Sequence, residues 1–269
     1  MKMKKLKVNA DDFGRHELIN SAVKDAYING ICRNASLMAG EQAFDDAVRI
    51  TRECPGLNVG IHFTLVMGSP VLPPSEIPSL VNDSGNFHDD FSVFVRKYLT
   101  GRILLSEVRS ELSAQLMKIQ NAGVNLSHAD SHQHIHVLPG ILNIVLDLSE
   151  SAGIKTVRMP QVKGMSFSVG VTGLKVLSFL GKRLAKKRGF SFPDNFMGLV
   201  GGGSVNEEWL CKMLDVLPEG VTELMIHPGS SNRVLQVFSN WNHDFESELE
   251  AVKSQRVMKK LKLQGIEID

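Results

Sequence analysis

Ser127 to His136 reads SHADSHQHIH and holds four of the chain's nine histidines together with one aspartate. If the backbone stays extended, side chains alternate, and His128, Asp130, His132, His134 and His136 share one face while Ala129, Ser131, Gln133 and Ile135 share the other. Four imidazoles and a carboxylate make a poor apolar surface. A metal ion explains the set: one or two rings ligate, Asp130 orients a ring through its N–H, and the remaining rings meet substrate. A switch to helix after Ser131 would also bring His132 and His136, spaced i,i+4, to one ion. The plain alternative is a histidine-rich loop, and the residues alone do not choose among the rings.

Four further clusters have the same character. Asp11 and Asp12, in NADDFG, follow an apolar run and fall on adjacent positions of what reads as a tight loop. Neighbouring carboxylates stay ionised cheaply only near a cation, although an Asp there also suits a helix cap. His62 lies in VGIHFTL, Arg158 in TVRMP and His227 in ELMIHPG, each where a β-type run ends. Neutral imidazole is a common ligand for zinc-type ions, and a fixed guanidinium can tune a carboxylate or hold an oxyanion. In barrels and open α/β sheets the C-terminal strand ends converge on one mouth, so five clusters point to one place. Together they meet the needs of metal-assisted hydrolysis: ligands, a spare carboxylate as base and a separate histidine as acid.

The elements that must carry these residues alternate between short β-type runs and longer runs of helical period, about seven units in all. That pattern predicts an α/β fold, an irregular TIM-barrel-like (β/α) barrel with seven strands as one option, in a single domain over residues 1–269. The Pro- and Ser-rich stretch near 69–90 is too long for a connector and reads as a rim or lid insertion. A formal charge of +1 gives no global attraction to nucleic acid, which leaves a small molecule or oligosaccharide as the expected partner. Cys32, Cys54 and Cys211 are odd in number and widely spaced, against a disulfide framework or thiolate zinc site. With no apolar leader at the start and no run long enough to span a bilayer, a cytoplasmic protein is expected. The segment 173–190 is a basic amphipathic helix, which suits either a solvated barrel helix or peripheral contact with an anionic membrane. A homodimer is a further option.

NADDFG, GIHFTL, SHADSHQHIH and MIHPG, in that order between residue 7 and about residue 230, resemble the signature blocks of the YdjC-like carbohydrate deacetylases. The resemblance implies a distorted (β/α) barrel, one divalent metal ion such as Mg2+ or Zn2+, and hydrolysis of an N-acetyl group on an amino sugar. By position it implies Asp12, His62 and His132 as metal ligands, Asp11 as general base and His227 as acid. His134 and His136 would line the substrate pocket and Arg158 would support the base. Residues 161–203 fit no block, which leaves the sugar unspecified. The rival readings are a metal-dependent phosphoesterase or other amidohydrolase on a barrel, and a carbohydrate-binding protein without turnover.

Overall fold

The computed structural model describes residues 3–160, 169–199 and 205–269, with side chains from residue 173 onward in the second stretch. Residues 161–168 and 200–204 lie outside the described residues, and with the second stretch goes the end of the loop expected for GFSFPDNFMGLVGGGS, residues 189–204. The chain runs β1 (Lys4–Phe13), α1 (Glu17–Ile28), β2 (Asn34–Leu37), α2 (Phe44–Glu53), β3 (Asn58–Phe63), α3 (Phe91–Leu99), α4 (Leu105–Asn121) and β4 (Leu126–Ser131). It continues as α5 (Ile141–Ser151), α6 (Val169–Lys187), β5 (Asn195–Met197), α7 (Glu207–Asp215), β6 (Gly220–Ile226), α8 (Asn232–Ser239), α9 (Phe245–Lys253), α10 (Gln255–Gln264) and β7 (Glu267–Ile268). Among the described residues the sheet has seven strands, in the order β4-β3-β2-β1-β6-β5, with β7 against β1 and every pairing parallel.

The curl of that sheet continues past β4 by single bridges. Ala129 pairs with Val157, and Thr156 pairs with Ser191, four residues before β5. The IKTVRMP segment, expected as a full strand, therefore contributes only this short pairing, so the barrel is irregular on one side. Its amides are still satisfied: Arg158 N–H donates to the Ala129 carbonyl at 2.9 Å and Val157 N–H to the Ser191 carbonyl at 3.0 Å. β5, inside a stretch expected to be loop, and the two-residue β7 are both too short to show a strand pattern in sequence.

The helices turn apolar stripes inward. In α1 the buried Ile19, Ala22, Val23 and Ala26 recur at the i, i+3, i+4, i+7 spacing of one helical face. Leu177 and Leu184 of α6 pack against the core, whereas Val176, Phe179 and Leu180 are exposed. No helix among the described residues is long and apolar enough to cross a membrane. The insertion folds down rather than hanging free: Ile77, Leu80 and Phe87 are buried, and Glu111 of α4 accepts the Val71 and Leu72 amides.

Polar side chains also fill the interior. The buried His128 ring lies over Gly60 of β3, sharing a hydrogen bond with Ser127 Oγ at 2.8 Å and a longer one with Ser36 Oγ at 3.3 Å. A Cβ at position 60 would come within 2.4 Å of that ring. Gly60→Ala is expected to destabilise the fold by about 1–3 kcal/mol, the usual cost of overpacking an interior. Denaturant unfolding measures it, and an unchanged midpoint would show that the ring moves aside freely.

Candidate active site

β1 does not stop before its acidic pair. The strand runs to Phe13, and its register against β2 shifts between Ala10 and Phe13, with Asp12 in the left-handed region at φ 62°. The expected tight loop is thus a bulged strand end, and the bulge sends the two carboxylates to different partners. Asp11 receives the Arg158 guanidinium on both oxygens, at 2.6 and 2.7 Å, and Asn9 Nδ2 at 2.7 Å. Asp12 faces His132 Nδ1 at 2.9 Å, His62 Nε2 at 3.4 Å and Arg15 at 2.8 Å.

The extended reading of SHADSHQHIH fails after Ser131. β4 ends there, and His132–Val137 form a tight 3-10 turn in which Gln133 and His134 take φ of 53° and 56°. Ser131 Oγ accepts the His136 backbone N–H at 2.9 Å and pairs with His136 Nδ1 at 2.6 Å, closing the turn. His136 Nε2 lies 2.7 Å from the Arg158 carbonyl, which can only accept, so Nε2 carries the hydrogen. His136 therefore turns away from His132 and holds the backbone of Arg158 instead of lining the cavity. Burial keeps it neutral, at about 4. The left-handed residues cost on the order of 1–3 kcal/mol each, and such strain collects where geometry serves a site.

His62 is positioned from both ends. Gln115 of α4 accepts the Thr64 N–H at 3.0 Å and donates to the Thr64 carbonyl at 2.7 Å, fixing the backbone just past β3. Asp130 takes His62 Nδ1 at 2.7 Å, with Ser36 donating to its other oxygen at 2.7 Å, which leaves Nε2 directed at Asp12. Burial opposes charge on His62, but Asp130 and Asp12 outweigh it and push it up to about 10. Burial likewise opposes ionisation of Asp12, yet His132 and Arg15 hold it well below the usual carboxylate range.

Asp12, His62 and His132 each offer a donor atom, all within 4.8 Å of one another. Asp11, His62, His132, Gln133, His134, Gly198, Leu199, Met225, His227 and Trp241 line a cavity of about 180 Å³ beside them. Every expected site residue except His136, Asp130 and Arg158 thus lies at this cavity or in the Asp12 cluster, and those three hold the others from behind. The insertion lines a different space. With Arg15, Glu41 and Phe238, its residues Ser69, Asn86 and Asp89 bound a neighbouring cavity of about 470 Å³.

Several contributors escape the sequence reading. Glu223 of β6 accepts Arg158 Nε at 2.7 Å, and its one signal was a lone charge inside the apolar run VTELMI. Arg15 and Trp241 carried none.

The YdjC-like protein family matches residues 5–263 of this chain. The chain belongs to that family. It is 28% identical over 256 residues to the carbohydrate deacetylase of Thermoanaerobacter pseudethanolicus, covering 95% of this chain and 93% of that one. A 39% identity over 160 residues links it to the carbohydrate deacetylase of Brevibacillus brevis, over 60% of this chain and 61% of the relative. Among solved structures, a protein described as a cellobiose-phosphate cleavage protein, from Enterococcus faecalis V583, superposes with a TM-score of 0.79 at 25% identity, covering 99% of this chain and 97% of that one.

Two rings of the site pull metal-free stability in opposite directions. His62, raised from 6.5 to about 10, contributes stability that is full below about 6.5 and lost as pH rises toward 10. His136, lowered from 6.5 to about 4, contributes stability that is full above about 6.5 and lost as pH falls toward 4. The unfolding free energy of metal-free protein should therefore peak near neutral pH, with His62→Gln flattening the alkaline limb. A profile still rising at about pH 9 would contradict it.

Proposed function

We propose that this chain is a metal-dependent deacetylase that removes the N-acetyl group from an amino sugar or N-acetylated oligosaccharide, releasing acetate and a free amine. The observation that carries this reading is the meeting of Asp12, His62 and His132 beside one cavity that also admits Asp11 and His227. The named relatives, carbohydrate deacetylases over most of their length, support it.

The donor set fits one divalent cation, Mg2+ or Zn2+. His62 gives its Nδ1 to Asp130 and keeps Nε2 for a ligand role, the usual arrangement in which a carboxylate orients a metal-binding imidazole. Charge argues the same way. Four carboxylates (Asp11, Asp12, Asp130, Glu223) meet two guanidiniums (Arg15, Arg158) and a His62 ring pushed toward its charged form, so the buried network keeps an excess of one negative charge, and of two once His62 is a neutral ligand. Asp12, His62 and His132 would hold the ion, which when bound polarises an amide carbonyl and eases deprotonation of water.

The chain's own residues supply the rest. Asp11, held in plane by the Arg158 fork, accepts the proton of the attacking water, and His227, at the end of the neighbouring strand β6 and lining the same cavity, donates to the departing amine. His134 and Trp241 shape the wall that receives the acetamido group. A phosphoester substrate finds less support: the two arginines of the network are spent on carboxylates, and no lysine lines the cavity among the described residues. A site that only binds would not need Asp11 beside Asp12. Three free, buried cysteines accord with a cytoplasmic setting.

The test is acetate release from a panel of N-acetylated mono- and oligosaccharides, before and after chelation and after refilling with single cations. Chelation should abolish release, and Asp11→Asn, folded and still able to bind metal, should lower kcat by about 10²- to 10⁴-fold. Undiminished release from stripped enzyme would end this reading.

A further inference from the structure

Behind His227 lies a second buried polar group that the proposed chemistry leaves unexplained. Glu248 of α9 and His243, in the connection from α8, are both fully buried. Glu248 Oε2 accepts the backbone N–H of His227 at 2.5 Å, and its Oε1 lies 3.3 Å from His243 Nε2. The His243 ring stands edge-on to His227, with centroids 5.2 Å apart and planes at 78°. Trp241 packs over His243 at 3.9 Å and meets the edge of His227 at 5.1 Å. One donor atom from each of His227, His243 and Glu248 falls within 4.8 Å of the others.

Placing an imidazole and a carboxylate here costs more than an apolar pair of equal volume would. What the pair achieves is local: it grips His227 by backbone and by ring. The His227 Nδ1 is buried without a hydrogen-bond partner, which leaves Nε2 as the nitrogen for the cavity. Trp241 belongs to both environments, lining the cavity and covering His243.

We propose that His243 and Glu248 are positioning residues for His227, the Glu248 carboxylate holding its backbone N–H and the His243 ring packing on its edge, so that Nε2 meets the departing amine. This rests on the reading of His227 as the proton donor. The proton passes from His227 Nε2 to the amine nitrogen as the C–N bond breaks; His243 and Glu248 touch neither substrate nor metal.

The test compares wild type with His243→Phe, which keeps an aromatic ring under Trp241, and Glu248→Gln, which keeps an acceptor for the His227 amide but removes the charge. Each metal-loaded enzyme is assayed on an N-acetylated amino sugar and on 4-nitrophenyl acetate, whose phenolate departs without protonation. We expect kcat on the amide to fall about 10- to 100-fold, part of the full general-acid effect, with Glu248→Asp recovering some of it. KM on the amide should stay within about twofold and kcat on the ester within about threefold. Unchanged kcat on the amide overturns the proposal, as does a fall shared by KM, ester turnover and thermal midpoint, which marks a merely structural pair. If His243→Phe does not fold, Glu248→Gln decides alone. Wild-type enzyme that releases no acetate from any N-acetylated sugar sinks the deacetylase reading instead, whereas active wild type with unaltered variants sinks only the positioning role.

Discussion

One buried guanidinium organises the mouth of the barrel. Arg158 is 1% exposed and reaches Asp11 on β1, Asp130 at the end of β4 and Glu223 on β6. Burial works against its charge, but the three carboxylates outweigh that and raise it well above its usual value. An arrangement of this kind is weak evidence for net stability, because apolar residues of equal volume often do as well. Its consequence is geometric. Arg158 follows Thr156 and Val157, whose single bridges to Ser191 and Ala129 hold the sheet there, and its side chain ties that weakly paired side to β4, β1 and β6. His136 then grips the Arg158 carbonyl, so backbone and side chain of one residue are both fixed from the site.

The same network explains why a short histidine-rich sequence can serve several ends. Asp130 divides its oxygens: one toward His62, the other toward Arg158 and Ser36. Two rings of the stretch support the structure, His128 over Gly60 and His136 against Arg158, while His132 and His134 face the cavity. Without the left-handed turn at Gln133 and His134, His136 would stay on the His132 face of a strand instead of reaching the Arg158 carbonyl.

This division shows what sequence carries and what it hides. Residue type and strand-end position were enough to gather Asp11, Asp12, His62, His132 and His227 at one mouth, because strand ends in an α/β barrel have nowhere else to converge. Helices with clear apolar stripes, such as α1 and α4, lie where their periodicity puts them. The bulge at Asp12 and the turn after Ser131 stayed hidden, since both depend on partners more than a hundred residues away or on a hydroxyl that only the folded chain brings into line. β5 and β7, at three and two residues, are below any periodicity, and Glu223 looks like a misplaced charge until Arg158 is beside it. The insertion was legible as an extra element but not in its direction, because Glu41 and Glu111, which hold it, sit on distant segments.

The two proton carriers proposed here sit at the ends of neighbouring strands, β1 and β6, in different chemical surroundings, and that contrast is what lets one cavity serve both halves of an amide hydrolysis. Asp11 meets the fixed positive charge of Arg158, from the weakly paired segment, and the Asn9 amide of its own strand. His227 meets aromatic edges and a buried carboxylate from the last third of the chain. Burial outweighs the pull of Asp12, Asp11 and Glu248 and lowers the His227 ring below its ordinary value, so a proton on it is readily given up. A base steadied by a cation and an acid whose proton burial loosens suit amide cleavage, because the proton taken from water and the proton given to nitrogen must be handled by groups with separate environments. A cation held by Asp12, His62 and His132 would offset the Asp12 charge that favours the protonated His227 ring, making the acid readier still to give up its proton once the site is loaded.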